Sequence, residues 1–480
     1  MNVTDKKYLI GFLIFVISFI SLEFIAYSFA EDQYISSISY DERQIDVELE
    51  FSSKNSINDN KLMSITFFDK TKQENVKNLT FFMTITNGNS QILKEYFYVN
   101  DEKLEIYVLP DIENKLLIKG NQQYNFDAYI MTPSAPIQIE GPFLIQDEKY
   151  TIILKFKTID NLENIVSHLE PIEFEIDVNK MKFKNNENFK NNLSNERSSI
   201  NFLEVEANQK ATLNNFGFRG QDIEPENLEQ KLRIFLLGGS TMYGTGATSD
   251  DTTISGHLNQ IIIDSFSSKQ FEIINAGIQG INSDVEKQVL EKDIIPLNPD
   301  YVIVFDGWND LQKDHSPTVI YKNWKFMCEL GNKHGFETSI ILQPIAGFGE
   351  KSLSERERYF AEKAVDEFGT KLISKISIYQ EYKSKLKSLP EYCTTHNFVG
   401  IFDSNDKEVY YDEGHLNDYG NELIAKEFFQ LYHDDFISLS KQISFKQNIP
   451  KSDIFLQITF QELISNYKTP DFILKIFQIN

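Results

Sequence analysis

Five short stretches of this chain, residues 233–237, 271–274, 301–305, 339–342 and 398–402, are apolar with almost no alternation. A strand with one wet face reads apolar-polar-apolar. One without a polar face must be covered on both sides. Stretches with helical spacing, near residues 254–266, 283–292, 319–333, 354–389 and 417–432, separate and follow them. That β-α order predicts a three-layer α/β fold, a doubly wound, flavodoxin-like parallel sheet. Its site is expected where the strands reach their carboxyl ends.

Residues 36–178 obey a different rule. In Gln44-Ile45-Asp46-Val47-Glu48-Leu49 and Tyr150-Thr151-Ile152-Ile153-Leu154-Lys155-Phe156 apolar side chains recur with period two, and Asn87-Gly88-Asn89 marks a turn. The pattern predicts half-buried antiparallel strands forming an all-β sandwich, immunoglobulin-like, ahead of the α/β domain. No cluster there has catalytic chemistry, so it is read as a spacer rather than a binding module. At 480 residues the chain exceeds what one core serves. The expected organisation is an N-terminal segment 1–30, a β-sandwich 31–180, an Asn- and Lys-rich linker 181–212, the α/β domain 213–438 and an extension 439–480.

Charge excludes one class of partner. With 47 basic against 71 acidic residues the net charge is −24, and a phosphate backbone would be repelled, so no nucleic acid is expected. The two cysteines, Cys328 and Cys393, form no zinc-spaced cluster, so no metal is expected; one disulfide and two buried thiols fit them equally. Lys6 and Lys7 precede an apolar run from Tyr8 to Leu22, and Ser28-Phe29-Ala30 offers small residues for cleavage. This reads as an export segment, cleaved after Ala30 or kept as a membrane anchor. Either outcome makes the remainder extracytoplasmic.

The candidate chemistry lies in the turns beyond the strand ends. The first strand ends in Gly238-Gly239-Ser240-Thr241, a sharp turn that leaves a hydroxyl at its tip. The second runs into Asn275-Ala276-Gly277-Ile278-Gln279-Gly280, where a glycine N–H can face a pocket. The third ends in Gly307-Trp308-Asn309-Asp310, which offers a neutral side-chain donor. Past the fifth comes Asp412-Glu413-Gly414-His415-Leu416, in which a carboxylate can reach Nδ1 of the imidazole and leave Nε2 for a serine.

Taken in order, Gly-x-Ser-Thr, Asn-x-Gly-x-x-Gly, Gly-x-Asn-Asp and Asp-x-x-His-Leu resemble the sequence blocks of SGNH (GDSL-like) hydrolases. The resemblance spans about residues 214–436, and Asn215-Phe216-Gly217-Phe218-Arg219-Gly220 is similar to a lead-in of some envelope members. It implies a serine esterase with Ser240 as nucleophile and Asp412 and His415 completing the triad. The oxyanion hole would be formed by the Ser240 N–H, the Gly280 N–H and the Asn309 side chain. No cofactor is implied. The usual Gly-Asp-Ser is Gly238-Gly239-Ser240 here, a departure that leaves the branch, and so the substrate, open. The expected substrate is a small ester or an acylated envelope glycan; an O-acetyltransferase and a non-catalytic adhesion protein are the alternatives.

Overall fold

The computed structural model describes residues 34–447, apart from 54–59, 101–102, 113–114, 123–124, 132–135, 167–168, 182–183, 186–210, 228–230 and 267–269. Residues 1–30, read above as an export segment, nearly all of residues 181–212, read as a linker, and the apolar stretches at 454–464 and 472–479 lie outside the described residues. Among the described residues, no helix is long and apolar enough to cross a membrane. Contacts divide the chain into two compact units. The first comprises Met1–Ala207, Thr212–Asp222 and Ile278–Asp293; the second comprises Asn208–Ala211, Ile223–Gly277 and Ile294–Asn480.

In the first unit, period-two apolarity produces two sheets. One runs Tyr34–Tyr40, Arg43–Ser53, Lys61–Asp69, Lys103–Pro110, Ile137–Gly141, Leu117–Lys119; the other runs Ile172–Asp177, Lys149–Thr158, Leu79–Asn87, Ser90–Val99, Tyr129–Ile130, Asn121–Gln122. Phe67 of the first sheet meets Phe81 and Phe156 of the second at ring-centroid distances of 5.2 and 5.9 Å, so the sheets share one apolar core. Most pairings are antiparallel. Ile137–Gly141 nevertheless lies parallel to Lys103–Pro110, and Tyr129–Ile130 parallel to Ser90–Val99. Parallel partners need long connections, and both pairs have them.

The Ile278–Asp293 segment joins this unit through polar contacts. Gln288 and Lys292 donate to the carbonyls of Glu163 and Ile165 at 2.9 and 2.5 Å, and Lys157 pairs with Asp293 at 3.3 Å. The Phe126 N–H donates to the Gln279 carbonyl at 3.1 Å, from a turn in which Phe126 and Asp127 are left-handed (φ 62° and 51°). Non-glycine residues hold that conformation at a cost, so surrounding contacts must impose it.

The second unit holds one five-stranded sheet. Its strands are β1 (Leu232–Gly238), β2 (Phe271–Gly277), β3 (Tyr301–Asp306), β4 (Glu337–Leu342) and β5 (Thr394–Asn397), in the order β2-β1-β3-β4-β5. Every pairing in it is parallel. All residues of β1 and β3 are buried, as runs without a polar face require. The helices are α1 (Ser240–Tyr243), α2 (Ile254–Ser265), α3 (Trp308–Gln312), α4 (Pro317–His334), α5 (Glu355–Lys363), α6 (Ile376–Leu386) and α7 (Asp418–Gln447). Helix α2 packs with α7, and α4 with α6. Cys328 of α4 and Cys393 just before β5 form a disulfide.

Two expectations about element boundaries change. The fifth strand is Thr394–Asn397, and the apolar residues 398–402 form the turn after it. Phe398, Val399 and Phe402 are apolar because they fill the core, with the Phe398 ring tilted against that of Phe428 of α7 at a centroid distance of 5.8 Å. The expected helix over 354–389 is two helices, α5 and α6, parted by a loop in which Lys375 ties together Asp366, Asp314 and the Leu311 carbonyl at 2.6, 2.9 and 3.1 Å.

Candidate active site

The strand order 2-1-3-4-5 is that of flavodoxin-like sheets, and the crevice of such a sheet opens where β1 and β3 part. Gly238 of β1 pairs with Phe305 of β3, so the residues after both strands emerge side by side at that point. Ser240 opens α1 two residues beyond β1, and Asn309 lies in α3 three residues beyond β3. The long connection after β5 returns as a hairpin closed by the Tyr410–Leu416 bridge, carrying Asp412 and His415.

The three side chains form a continuous relay. The Ser240 hydroxyl lies 2.7 Å from Nε2 of His415, and Nδ1 of the same ring lies 2.7 Å from an Asp412 carboxylate oxygen. The other Asp412 oxygen accepts the Gly414 and His415 backbone N–H groups at 3.0 and 2.8 Å. Burial works against the Asp412 charge, but the hydrogen bond and charge of His415 and the two backbone donors outweigh it, holding the carboxyl below its usual range. An ionised Asp412 fixes the imidazole with its lone pair on Nε2, the tautomer that can accept a seryl proton. Ser240 is 1% exposed and His415 6%, so the bond between them lies in a dry setting that strengthens it, while the Asp412 side chain is 24% exposed.

Residues that the motifs did not single out hold the relay in place. The Thr241 hydroxyl donates to the Gly414 carbonyl at 3.1 Å, tying the serine turn to the histidine hairpin, and Gln343 of the β4 exit donates to Thr241 at 3.3 Å. Trp308 sets its indole against the His415 ring, T-shaped with centroids 4.7 Å apart. Its contact brings the β3 exit, and hence its neighbour Asn309, beside the triad. Glu357 of α5, fully buried, accepts the Val409 and Tyr410 N–H groups at 2.9 and 3.3 Å, anchoring the hairpin's base. Thr241 and Trp308 lie inside motif blocks, so their place was readable. Glu357 reads in sequence only as the last residue of a Ser354-x-x-Glu357 capping box, which it also is.

Of the five residues the sequence points to, the structure joins Ser240, Asp412 and His415 by hydrogen bonds and sets Asn309 next to a residue touching His415. Gly280 is left-handed, φ 76°, and its segment belongs to the first unit.

No family model matches the chain, and no curated protein matches it. Similar solved structures include an acetyl xylan esterase, 16% identical, covering 42% of this chain and 99% of its own, with a TM-score of 0.33. A lipolytic protein of the G-D-S-L family from Desulfitobacterium hafniense is 14% identical, covering 41% and 97%, with a TM-score of 0.30. A two-domain esterase active on acetylated mannans is 18% identical, covering 42% and 49%, with a TM-score of 0.31. These neighbours are esterases and GDSL-type proteins, at low identity and over less than half of this chain.

Proposed function

We propose that the chain is a serine esterase that cleaves small-acyl esters through an acyl-serine intermediate. The observation that carries this reading is the unbroken Ser240–His415–Asp412 relay with both links at 2.7 Å. His415 takes the hydroxyl proton as Ser240 attacks the ester carbonyl, then returns it to the departing alcohol. Water, activated by the same imidazole, releases the acid. The Asn309 side chain and the N–H groups of Ser240 and Gly280 are assigned to the oxyanion that appears in each half-reaction. No step calls for a metal or cofactor.

A small acyl group is proposed because Trp308, 3% exposed, packs its indole against the His415 ring with centroids 4.7 Å apart, placing a bulky side chain next to the imidazole. With the export segment read from residues 1–30, the proposed substrates are O-acyl groups on envelope glycans. The two sheets of the first unit are read as a β-sandwich spacer. Ser240→Ala is expected to abolish p-nitrophenyl acetate hydrolysis, and a series of aryl esters to show turnover falling with chain length. Preference for long acyl chains would overturn the substrate assignment, and hydrolysis surviving in Ser240→Ala would overturn the reaction.

A further inference from the structure

The N–H assigned to the oxyanion beyond β2 belongs to the peptide that joins Gln279 to Gly280, in a turn whose Gly280 is left-handed, φ 76°. Such a turn passes to the commoner right-handed form by rotating that central peptide through nearly half a circle, which would reverse its N–H. Something must hold it. In a planar trans peptide the carbonyl and the N–H point opposite ways, so whatever fixes the Gln279 carbonyl fixes the direction of the Gly280 N–H. The Phe126 N–H donates to that carbonyl at 3.1 Å, and the Gln279 side-chain amide donates to the Asp127 carboxylate. Both partners of this grip belong to the first unit.

The gripping turn is itself held. Phe126 and Asp127 keep their left-handed backbone because the Phe126 ring, 5% exposed, packs on Tyr96 at a centroid distance of 5.2 Å and the Gln122 amide donates to the Asp127 carbonyl at 2.9 Å. Tyr96 is tied in turn by its hydroxyl, which donates to the Gly217 carbonyl at 3.2 Å. The Gln288 and Lys292 bonds described above fix the chain that follows Gly280. Resting on the esterase reading above, we propose that Phe126 and Asp127 are positioning residues for the Gly280 oxyanion donor, so that the first unit takes part in catalysis as well as spacing. A peptide whose carbonyl accepts a hydrogen bond is polarised and donates more strongly through its N–H, so the Phe126 contact also strengthens the donor it aims.

The Asp127–Gln279 contact can be inverted. Gln279→Glu sets two carboxylates against each other, and adding Asp127→Asn restores the hydrogen bond with donor and acceptor exchanged. The test measures kcat and KM for p-nitrophenyl acetate in the full chain at about pH 8, where Asp127 is ionised. Removing an oxyanion donor costs about a hundredfold, so one left free to turn should cost about tenfold in kcat in Asp127→Ala and about thirtyfold in Gln279→Glu, at little-changed KM. Asp127→Asn alone still accepts the Gln279 amide and should stay within about threefold of wild type, and Asp127→Asn/Gln279→Glu should regain about tenfold over Gln279→Glu. Every variant should stay folded at the assay temperature by circular dichroism, as a positioning role requires. Wild-type kcat in Asp127→Ala, rate loss accompanied by unfolding, or a double variant no faster than Gln279→Glu refutes the positioning role. Failure of the esterase reading is separate, because it would show as activity persisting in Ser240→Ala.

Discussion

Gly414 sits between Asp412 and His415 in the histidine hairpin, and a single methyl group there should cripple the proposed esterase activity. A Cβ added to Gly414 would lie 2.4 Å from three indole atoms of Trp308, Cδ2, Cε2 and Cε3, where ordinary contact begins at 3.4 Å. Gly414→Ala must therefore open a gap of about 1 Å. Neither side yields freely: the indole is buried against the His415 ring at 4.7 Å, and the Gly414 peptide is held by Asp412 at its N–H and by Thr241 at its carbonyl. The displacement falls on His415. A misplacement of about 1 Å between reacting groups costs on the order of a hundredfold, or about 2.7 kcal/mol of barrier. Steady-state turnover of p-nitrophenyl acetate should show that loss in kcat, with KM little changed and the melting midpoint within a few degrees. Adding Trp308→Ala to Gly414→Ala should restore part of the rate, since the colliding ring is gone, making the two changes non-additive. Wild-type kcat in Gly414→Ala would refute the packing on which the relay is said to depend.

The Cys328–Cys393 bridge closes a loop across 65 residues, worth about 4 kcal/mol in the chain-entropy account; Cys328→Ala/Cys393→Ala should lower the melting midpoint by about 10 °C and leave activity at 25 °C intact, and an unchanged midpoint would contradict this. Glu357→Ala removes a buried carboxylate that faces Lys351 at 3.4 Å and caps two hairpin N–H groups, so a loss of about 3 kcal/mol in denaturant unfolding is expected. Glu357 is held below its usual range because its backbone hydrogen bonds outweigh burial; its contribution is present above the unfolded pKa and is lost as pH falls through the folded value. Asp127 behaves in the opposite sense: burial, then the Glu95 charge, raises it to about 6. Its protonated form is favoured in the folded state, so stability should decline as pH climbs from about 4 to about 6, and Asp127→Asn should flatten that decline in a melting-versus-pH series.

Continuous apolar runs were enough to read β1 and β3, because strands covered on both faces leave no other pattern. The edge strand β5, Thr-Thr-His-Asn, is half exposed and polar, so hydropathy passed over it for the more apolar turn just beyond. The break between α5 and α6 was hidden for a related reason: Lys375 and Asp366 look like ordinary helix-surface charges until folding brings Asp314 and the Leu311 carbonyl to them. Of the site, Ser240, Asp412 and His415 could be read because each comes after a strand within a short motif. Their supports could not. Glu357 is 55 residues before Asp412, and Gln343 lies 102 residues beyond Thr241, contacts that no local spacing encodes. The parallel pairings of the first unit were missed because alternation fixes which face is buried and not the direction of the neighbouring strand.

The most direct test is covalent. A fluorophosphonate that traps an activated serine should add to the intact protein once, and peptide mass analysis should place the adduct on Ser240. His415→Ala should slow that labelling by orders of magnitude. An adduct on another serine, or labelling at the wild-type rate in His415→Ala, would contradict a hydroxyl activated by this imidazole.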